Sequence, residues 1–430
     1  MQFTINQAEL MSALGAVKAP CKGRFALEVL NNVLIEARDG VVSFTTTDLT
    51  MRVTFTAAHT VKVAEEGAYT VNYKQLFDTI KVLPKRADIA VRRLEGTVEI
   101  TCSGRKFVRG IEAEEYPDWK PAHVPGETYT ETREEYEPDS SGNGSTRVTN
   151  TYKYEVLKTQ IQQLCLPRNL LVGMLSQVAY VAADDDSRPV YRAIFTDLRD
   201  DRLTMVAADA FRLVKHVVDV PCAGSWEHAV LIDAKYFAQI GKLLPKDCGV
   251  DIEVLSTLEK VLEKNGKEEA NTLPYLTISQ VRFATDTTVV LLRPTEGTYP
   301  NYEGALPKSY STRVVCDTAE LLSGYQTIWP VAKDSSNIAK LRITGDTAFI
   351  EASAEEQPEP TVHEIPAIVS GPDTHALLNC QYMLDFLKAT KASEVVIEMT
   401  TPARPVVARP CYEGPGEQTI YIVMPMTPNR

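Results

Sequence analysis

Histidine is scarce in this chain of 430 residues, and the six present (59, 123, 216, 228, 363 and 375) are dispersed. None sits at metal-ligand spacing, so each reads as a surface or hydrogen-bonded histidine rather than a ligand. The eight cysteines are scattered and form no CxxC pair, the pattern of reduced, structural thiols in a cytoplasmic protein. There is no GxxxxGK[ST] phosphate loop, no strand-linked GxGxxG and no HExxH. Asp184-Asp185-Asp186 are consecutive, whereas metal loops space their carboxylates alternately, so they read as a solvated acidic loop. No run approaches the roughly 20 apolar residues of a membrane helix. The opening MQFTINQAEL lacks the basic start and apolar core of a signal peptide. Excess positive charge is also missing: 45 basic against 57 acidic residues leave a net charge of −12. A nucleic-acid partner therefore requires basic residues segregated on one face. These absences leave an enzyme without a convergent site, and no cofactor or metal is expected.

What is present is a repeated sentence. VNYKQLFDTIKVLPKR (71–86) predicts one amphipathic helix, with Leu76, Phe77, Ile80 and Leu83 as its apolar stripe. Lys74, Lys81 and Lys85 lie along the other face, and Pro84 stops the helix. LIDAKYFAQIGKLLPK (231–246) repeats it with Lys235, Lys242 and Lys246. LNCQYMLDFLKATKA (378–392) is a weaker copy that keeps Lys388 and Lys391 but has Gln381 in the first lysine's place. The copies lie roughly 150 residues apart, which is domain spacing. One lysine stripe is ordinarily the wet face of a surface helix; repetition at equivalent positions argues for a role. Ammonium groups on long stems suit phosphate contact without base reading.

Around these helices the chain alternates in period two. LEVLNNVLIEARDGVVSFTTTDLTMRVTFTA carries an Asp39-Gly40 turn and reads as a hairpin. VAADAFRL occupies the place of TTTDLTMRV in the next repeat, with Asp209 matching Asp48. Each repeat reads as helix, strands, helix, strands, hence α+β, with two helices packed on antiparallel sheets. The expected domains are 1–120, 155–308 and 309–430. Residues 121–154 break the pattern and read either as a protruding hairpin or as a flexible loop. A second insertion at about 256–271, STLEKVLEKNGKEEAN, reads as a charged helical turn on the surface. Pro330 is expected to stop or kink the first helix of the third repeat.

LEVLNNVLIEARDG-VVSFTTTDL (27–49), RKFVRGIEAEEYPDW (105–119), EGTYPNYEGALP (296–307) and the terminal YIVMPM (421–426) together resemble the bacterial β sliding clamp family, the DNA polymerase III beta subunit. The resemblance covers nearly the whole chain apart from the two insertions. It implies the DNA clamp fold, a head-to-tail homodimer closing into a six-domain ring, and duplex DNA threaded through a helix-lined hole. It implies a non-catalytic processivity factor, loaded by a clamp loader, that tethers the replicative polymerase in the cytoplasm at the nucleoid. On the DNA side it adds Lys22, Arg24 and Arg188 to the lysines above. It also implies a peptide-binding pocket walled by Tyr191, Ala210, Phe211, Arg212, Leu213, Pro300, Ala305 and Ala403. The terminal Ile422, Val423, Met424, Pro425 and Met426 belong to it, with Asn379 and Tyr382 at its border. Apolar, methionine-rich walls suit varied peptide anchors. The chain departs from the family pattern at Ala210-Phe211, where a small residue and histidine are usual, at Gly304 and at Tyr191. Phe107 and Arg109 are expected to meet Val331 of a second copy. A paralogue with a specialised role, drug-tolerant or encoded by a mobile element, is the alternative.

Overall fold

Period-two alternation becomes strand nearly everywhere in the computed structural model, with antiparallel pairing throughout each sheet. The structure describes residues 1–430 except 24, 120–124, 139–144, 186–187, 270–272, 335, 354–358 and 427–430. Seven α-helices accompany the strands among the described residues: α1 (Gln7–Ala16), α2 (Tyr73–Lys81), α3 (Arg168–Val178), α4 (Pro189–Arg192), α5 (Ala234–Leu243), α6 (Thr318–Asp334) and α7 (Cys380–Ala389). Contacts gather the chain into two compact units, Met1–Asn169 with Gln239–Pro294, and Leu170–Ala238 with Thr295–Arg430.

The first unit is built on one continuous sheet of 15 strands, running from Thr128–Pro138 at one edge to Lys62–Glu65 at the other. Phe3, Phe44, Leu10, Leu14, Leu76 and Ile80 are fully buried in its core. α1 and α2 pack together: the Tyr73 hydroxyl donates to Leu14 O at 2.8 Å and Gln7 Nε2 to Ile80 O at 3.2 Å.

The two insertions meet in this unit. Thr128–Pro138 pairs along its length with Ser145–Pro167, and the far edge of that strand pairs with Gly249–Lys264. Of the segment expected to be a surface helical turn, residues 256–264 are therefore the outer half of a long strand, Lys267–Glu268 pairs back on it, and 270–271 lie outside the described residues. The strand's helix-favouring residues are overridden by a partner edge: Tyr154 pairs with Val261, Val156 with Glu259, and a bulge before Lys158 restores register. Glu259 is 2% exposed, yet its carboxylate accepts hydrogen bonds from Thr257 Oγ1 (2.6 Å), the Tyr129 hydroxyl (2.9 Å) and Thr277 Oγ1 (3.2 Å). A buried acid satisfied in this way fixes register at little cost.

The second unit carries a nine-stranded and a four-stranded sheet. α6 lies on the smaller one. A Cβ at Gly324 would come within 2.8 Å of Ile350 and 2.9 Å of His363, so the absent side chain permits the close approach. α6 runs through Pro330 to Asp334, so of the expected stop or kink the stop is corrected. The carbonyl that has no proline N–H to accept from belongs to Gln326, an exposed residue.

Candidate binding pocket and lysine-bearing helices

The pocket grows from a turn. Asp209 Oδ1 accepts the backbone N–H groups of Phe211 (3.0 Å) and Arg212 (2.9 Å), closing the link between strands Arg202–Ala208 and Arg212–Asp219. Asp48 does the same for Thr50 (3.0 Å) and Met51 (2.7 Å) in the first repeat. An aspartate bonding its own backbone two and three residues on is why both turns are readable as Asp in the sequence. The turn forces Leu49 to φ 73° and Ala210 to φ 76°. It also leaves Phe211 58% exposed.

Arg212 locks this turn to the rest of the second unit. Its side chain is 10% exposed; Nε donates to Asp209 Oδ2 at 2.8 Å and Nη1 to Asp385 Oδ2 on α7 at 2.7 Å. Nη2 donates to Tyr180 O at 3.1 Å, and the guanidinium lies 4.2 Å from the Tyr382 ring centre. Burial works against the charge, but the Tyr421 phenol and the Asp385 and Asp209 carboxylates outweigh it and raise the arginine's pKa.

Beside the turn opens a cavity of about 660 Å³. Its floor is the buried cluster Val206, Ala208, Leu213, Val407 and Ile422, against which Tyr191, Phe195, Tyr299, Tyr302 and Leu306 pack. Phe195 holds both tyrosines, with ring centres 5.4 Å from each. Of the residues named from the sequence, Tyr191, Ala210, Phe211, Arg212, Leu213, Pro300, Ala305, Ile422 and Met424 line this one cavity. Asn379, Tyr382, Ala403, Val423, Pro425 and Met426 do not. Strand alternation is the reason for Val423: Arg212↔Val423 and Leu213↔Ile422 are paired, and Ile422 and Met424 lie on the cavity side while Val423 is fully buried. Asn379 instead caps α7, accepting from Gln381 N (3.0 Å) and Tyr382 N (3.3 Å). Tyr382 serves as the face on which Arg212 rests. Met426 N donates to Leu377 O at 2.7 Å, which ties the tail down, and the cavity takes Arg404 and Pro405 in place of Ala403. Sequence reading missed Tyr299, Tyr302 and Leu306, although they sit inside the quoted EGTYPNYEGALP segment. It also missed Lys308, Ser309, Thr400, Arg404 and Pro405, which no local pattern marks.

The three lysine helices are shorter than the periodicity predicts. Each starts after a strand-ending Asx residue: Asn72 Oδ1 accepts Gln75 N (3.0 Å), Asp233 Oδ1 accepts Lys235 N (2.9 Å), and Asn379 caps α7. α2 ends at Lys81 and α5 at Leu243, because residues before Pro84 and Pro245 disfavour helical geometry and Arg86 and Asp247 turn at positive φ. Lys85, Lys246 and Lys391 therefore lie just beyond the helix ends, a correction to the predicted stripes. Lys74, Lys81, Lys85, Lys235, Lys242, Lys246, Lys388 and Lys391 are all exposed, as is Arg188 before α4. Lys22 ends the short 3-10 helix Pro20–Lys22, and Arg24 lies outside the described residues. Phe107 (58% exposed) and Arg109 project from strand Arg105–Ile111, and the half-exposed Val331 sits on α6.

Comparison with known proteins places three matches in succession along the chain. Residues 1–120 match the N-terminal domain model of the DNA polymerase III beta subunit, 165–301 its central domain, and 303–427 its C-terminal domain. The beta sliding clamps of Synechococcus elongatus and Escherichia coli are each 23% identical to it, over 99% of this chain and 99% and 100% of theirs. The crystal structure of the beta subunit from Pseudomonas aeruginosa superposes with a TM-score of 0.80 at 20% identity, covering 99% of this chain and 100% of that one. The Bacillus subtilis sliding clamp gives 0.79 at 19%, covering 99% of each.

Proposed function

Because the chain belongs to the DNA polymerase III beta-subunit family, the β sliding clamps, we propose that it encircles duplex DNA and tethers the replicative polymerase for processive synthesis. It is a non-catalytic processivity factor. The observation that carries this is the ordered succession of three family-domain matches along one chain. Three clamp domains, 1–120, 155–308 and 309–430, form half of a six-domain ring, and a second copy joined head to tail closes it. Phe107, Arg109 and Val331 belong to that junction. The insertion at about 256–271 lengthens the central domain, and residues 121–154 are inserted between the first domain and the central one.

The exposed lysines of α2, α5 and α7 face the DNA in this reading, with Lys22, Arg24 and Arg188. Their contacts are with phosphate, so binding is sequence-independent and weakens with salt. Segregating them in a ring reconciles DNA contact with a net charge of −12. Closure into a ring also removes open sheet edges that invite aggregation.

The cavity beside the Asp209 turn is the dock for a short peptide from the polymerase, the clamp loader and other partners. Asn379, Tyr382, Ala403, Val423, Pro425 and Met426 support or border it, and Tyr191 and Phe211 in place of smaller groups reshape its walls. Two buried apolar anchors gain roughly 1.5–3 kcal/mol each. Together that is about 3–6 kcal/mol, which before any ordering cost already falls short of the ~8 kcal/mol of a micromolar complex, so the anchors alone hold a peptide weakly enough for partners to exchange. Among the described residues no helix is long and apolar enough to cross a membrane. We place the protein in the cytoplasm, at the nucleoid during replication.

Primer extension on singly primed circles tests the function. With polymerase and clamp loader, the protein should lengthen products from one binding event several-fold. Unchanged product length with a loader that does load other clamps would contradict the reading and favour a specialised paralogue.

A further inference from the structure

The inserted strand Thr128–Pro138 ends the 15-stranded sheet of the first unit, so among the described residues one of its edges has no strand beside it. It is long for that place. The other strands that end sheets have three to six residues: Lys62–Glu65, Val230–Asp233, Ile368–Ser370, Thr361–Pro366 and Thr374–Asn379. Thr128–Pro138 has 11 and pairs with Ser145–Pro167 without a register shift. Open edges are usually blunted by short strands, bulges, lysine or proline. Here lysine is absent and proline comes only at the last position. The strand also falls between the family-domain matches 1–120 and 165–301, so those domains assign it no partner. The ladder shows which backbone groups the edge offers. Val156 N donates to Glu127 O at 3.0 Å, and Gly126 N, at φ 85°, donates to Val156 O at 2.8 Å. That glycine bulge makes 127 and 156 a hydrogen-bonded pair, and parity carries the pattern along the hairpin. Thr151, of the other parity, turns to the opposite neighbour: its N–H donates to Asn265 Oδ1 and its carbonyl accepts Asn265 N, both at 2.7 Å. Tyr129 and Glu131 therefore bond within the hairpin, while Thr128, Thr130, Thr132 and Glu134, all exposed, turn N–H and C=O outward.

We propose that this edge takes an extended basic segment of another protein as an added strand. Backbone pairing supplies the hold and alternate side chains the choice. Charge sets the choice. The strand carries four glutamates, at 131, 134, 135 and 137, against one arginine at 133. Glu134 is matched by Arg147, and the remainder is still acidic. A second copy is disfavoured: laid antiparallel in full overlap, it sets position 131 against position 135, both glutamate, and like charges directly opposite destabilise a sheet. On one face a docked residue lies beside Tyr129 and Glu131. The Tyr129 ring is fixed there by Tyr154, with ring centres 5.0 Å apart, and by its hydroxyl, which donates to Glu259 at 2.9 Å. A lysine or arginine in that place meets a carboxylate next to a rigid aromatic ring. On the other face Thr128, Thr130 and Thr132 suit β-branched neighbours. The matching segment therefore alternates basic with β-branched residues.

The test uses the full-length protein and a capped peptide of alternating lysine and threonine. The controls are an alternating glutamate–threonine peptide and a lysine–threonine peptide with proline in place of every second threonine. Amide exchange is read residue by residue by fragmentation mass spectrometry. Saturating lysine–threonine peptide should slow exchange at Thr128, Thr130, Thr132 and Glu134 about tenfold or more, while Tyr129 and Glu131, already bonded within the hairpin, change less than about twofold. In anisotropy titrations the glutamate peptide should bind about tenfold more weakly, and the preference should shrink as salt is raised. The proline-bearing peptide keeps the charge but cannot pair, and should give no protection. Thr130→Pro with Thr132→Pro removes two outward N–H groups from an edge that tolerates proline, and should weaken the lysine–threonine peptide about tenfold. Where that variant loosens the hairpin, the protection pattern in the parent decides. Binding without protection of the outward amides, equal protection by all three peptides, or no binding at about millimolar peptide overturns the proposal. Protection of the same amides that grows with protein concentration in the absence of peptide assigns the edge to a second copy and overturns it as well.

Discussion

Removing the Arg212 side chain should loosen the pocket wall more than any exposed substitution near it. Arg212→Ala leaves Asp209 and Asp385, whose side chains are 13% and 23% exposed, without their shared cation. Breaking a buried ion pair on one side costs roughly 3–5 kcal/mol. The lower end applies here. Asp385 keeps a hydrogen bond from Gln381 Nε2 at 2.6 Å, and Asp209 keeps those from Phe211 and the backbone of residue 212. A cost of about 3 kcal/mol corresponds to roughly a hundredfold in an opening equilibrium. A chain of two compact units is a poor two-state system, so the readout is local amide exchange. The amides of Arg212–Asp219 and Glu417–Val423, paired from Arg212↔Val423 onward, should exchange about a hundredfold faster than in the parent. Lysine at 212 should recover only part, since it keeps the charge but loses the fork geometry. Adding Asp385→Ala to the alanine variant should cost at least about 1 kcal/mol less than in the parent, because the stranded charge is gone. Exchange within threefold of the parent, or strict additivity of the pair, would refute this account of the wall.

Phe211→Ala removes a ring that is 58% exposed, so stability should change by less than about 0.5 kcal/mol while peptide affinity falls roughly tenfold in anisotropy titrations. His216 is 5% exposed with Nδ1 2.9 Å from Thr419 Oγ1, and burial lowers its pKa to about 4. The unfolded chain then binds a proton first as pH falls. Stability is full above pH ~6.5 and declines toward pH 4 by up to about 3 kcal/mol, and thermal melts of His216→Gln should lose that slope. Lys74→Gln, Lys81→Gln and Lys85→Gln together should leave the melting temperature unchanged and flatten the salt dependence of linear-duplex binding by up to three phosphate contacts' worth, measured by titration.

The repeat, the strand alternation and the Asp48 and Asp209 turns were legible because each rests on local chemistry: side-chain periodicity, or an aspartate bonding its own backbone. Helix ends were legible only in part, since prolines at 84 and 245 act on the residue before them and shorten what the apolar stripe alone suggests. The strand through 256–264 was not legible. Its residues favour helix, and the deciding partner, Tyr152–Thr159, lies about a hundred positions away in the chain. The pocket shows the same division. Residues in contiguous motifs could be named, but alternation turned Val423 inward, and Lys308, Thr400 and Arg404 reach the rim through folding that no short motif encodes.

The central claim is topological, and retention on DNA circles tests it most directly. The protein is loaded with clamp loader and ATP onto nicked circular duplex, half the sample is linearised, and both are washed at raised salt. Salt dissolves phosphate contacts but cannot release a closed ring from a circle. The account predicts retention on circles and loss from linear DNA. Equal loss from both, or retention on both, would contradict it.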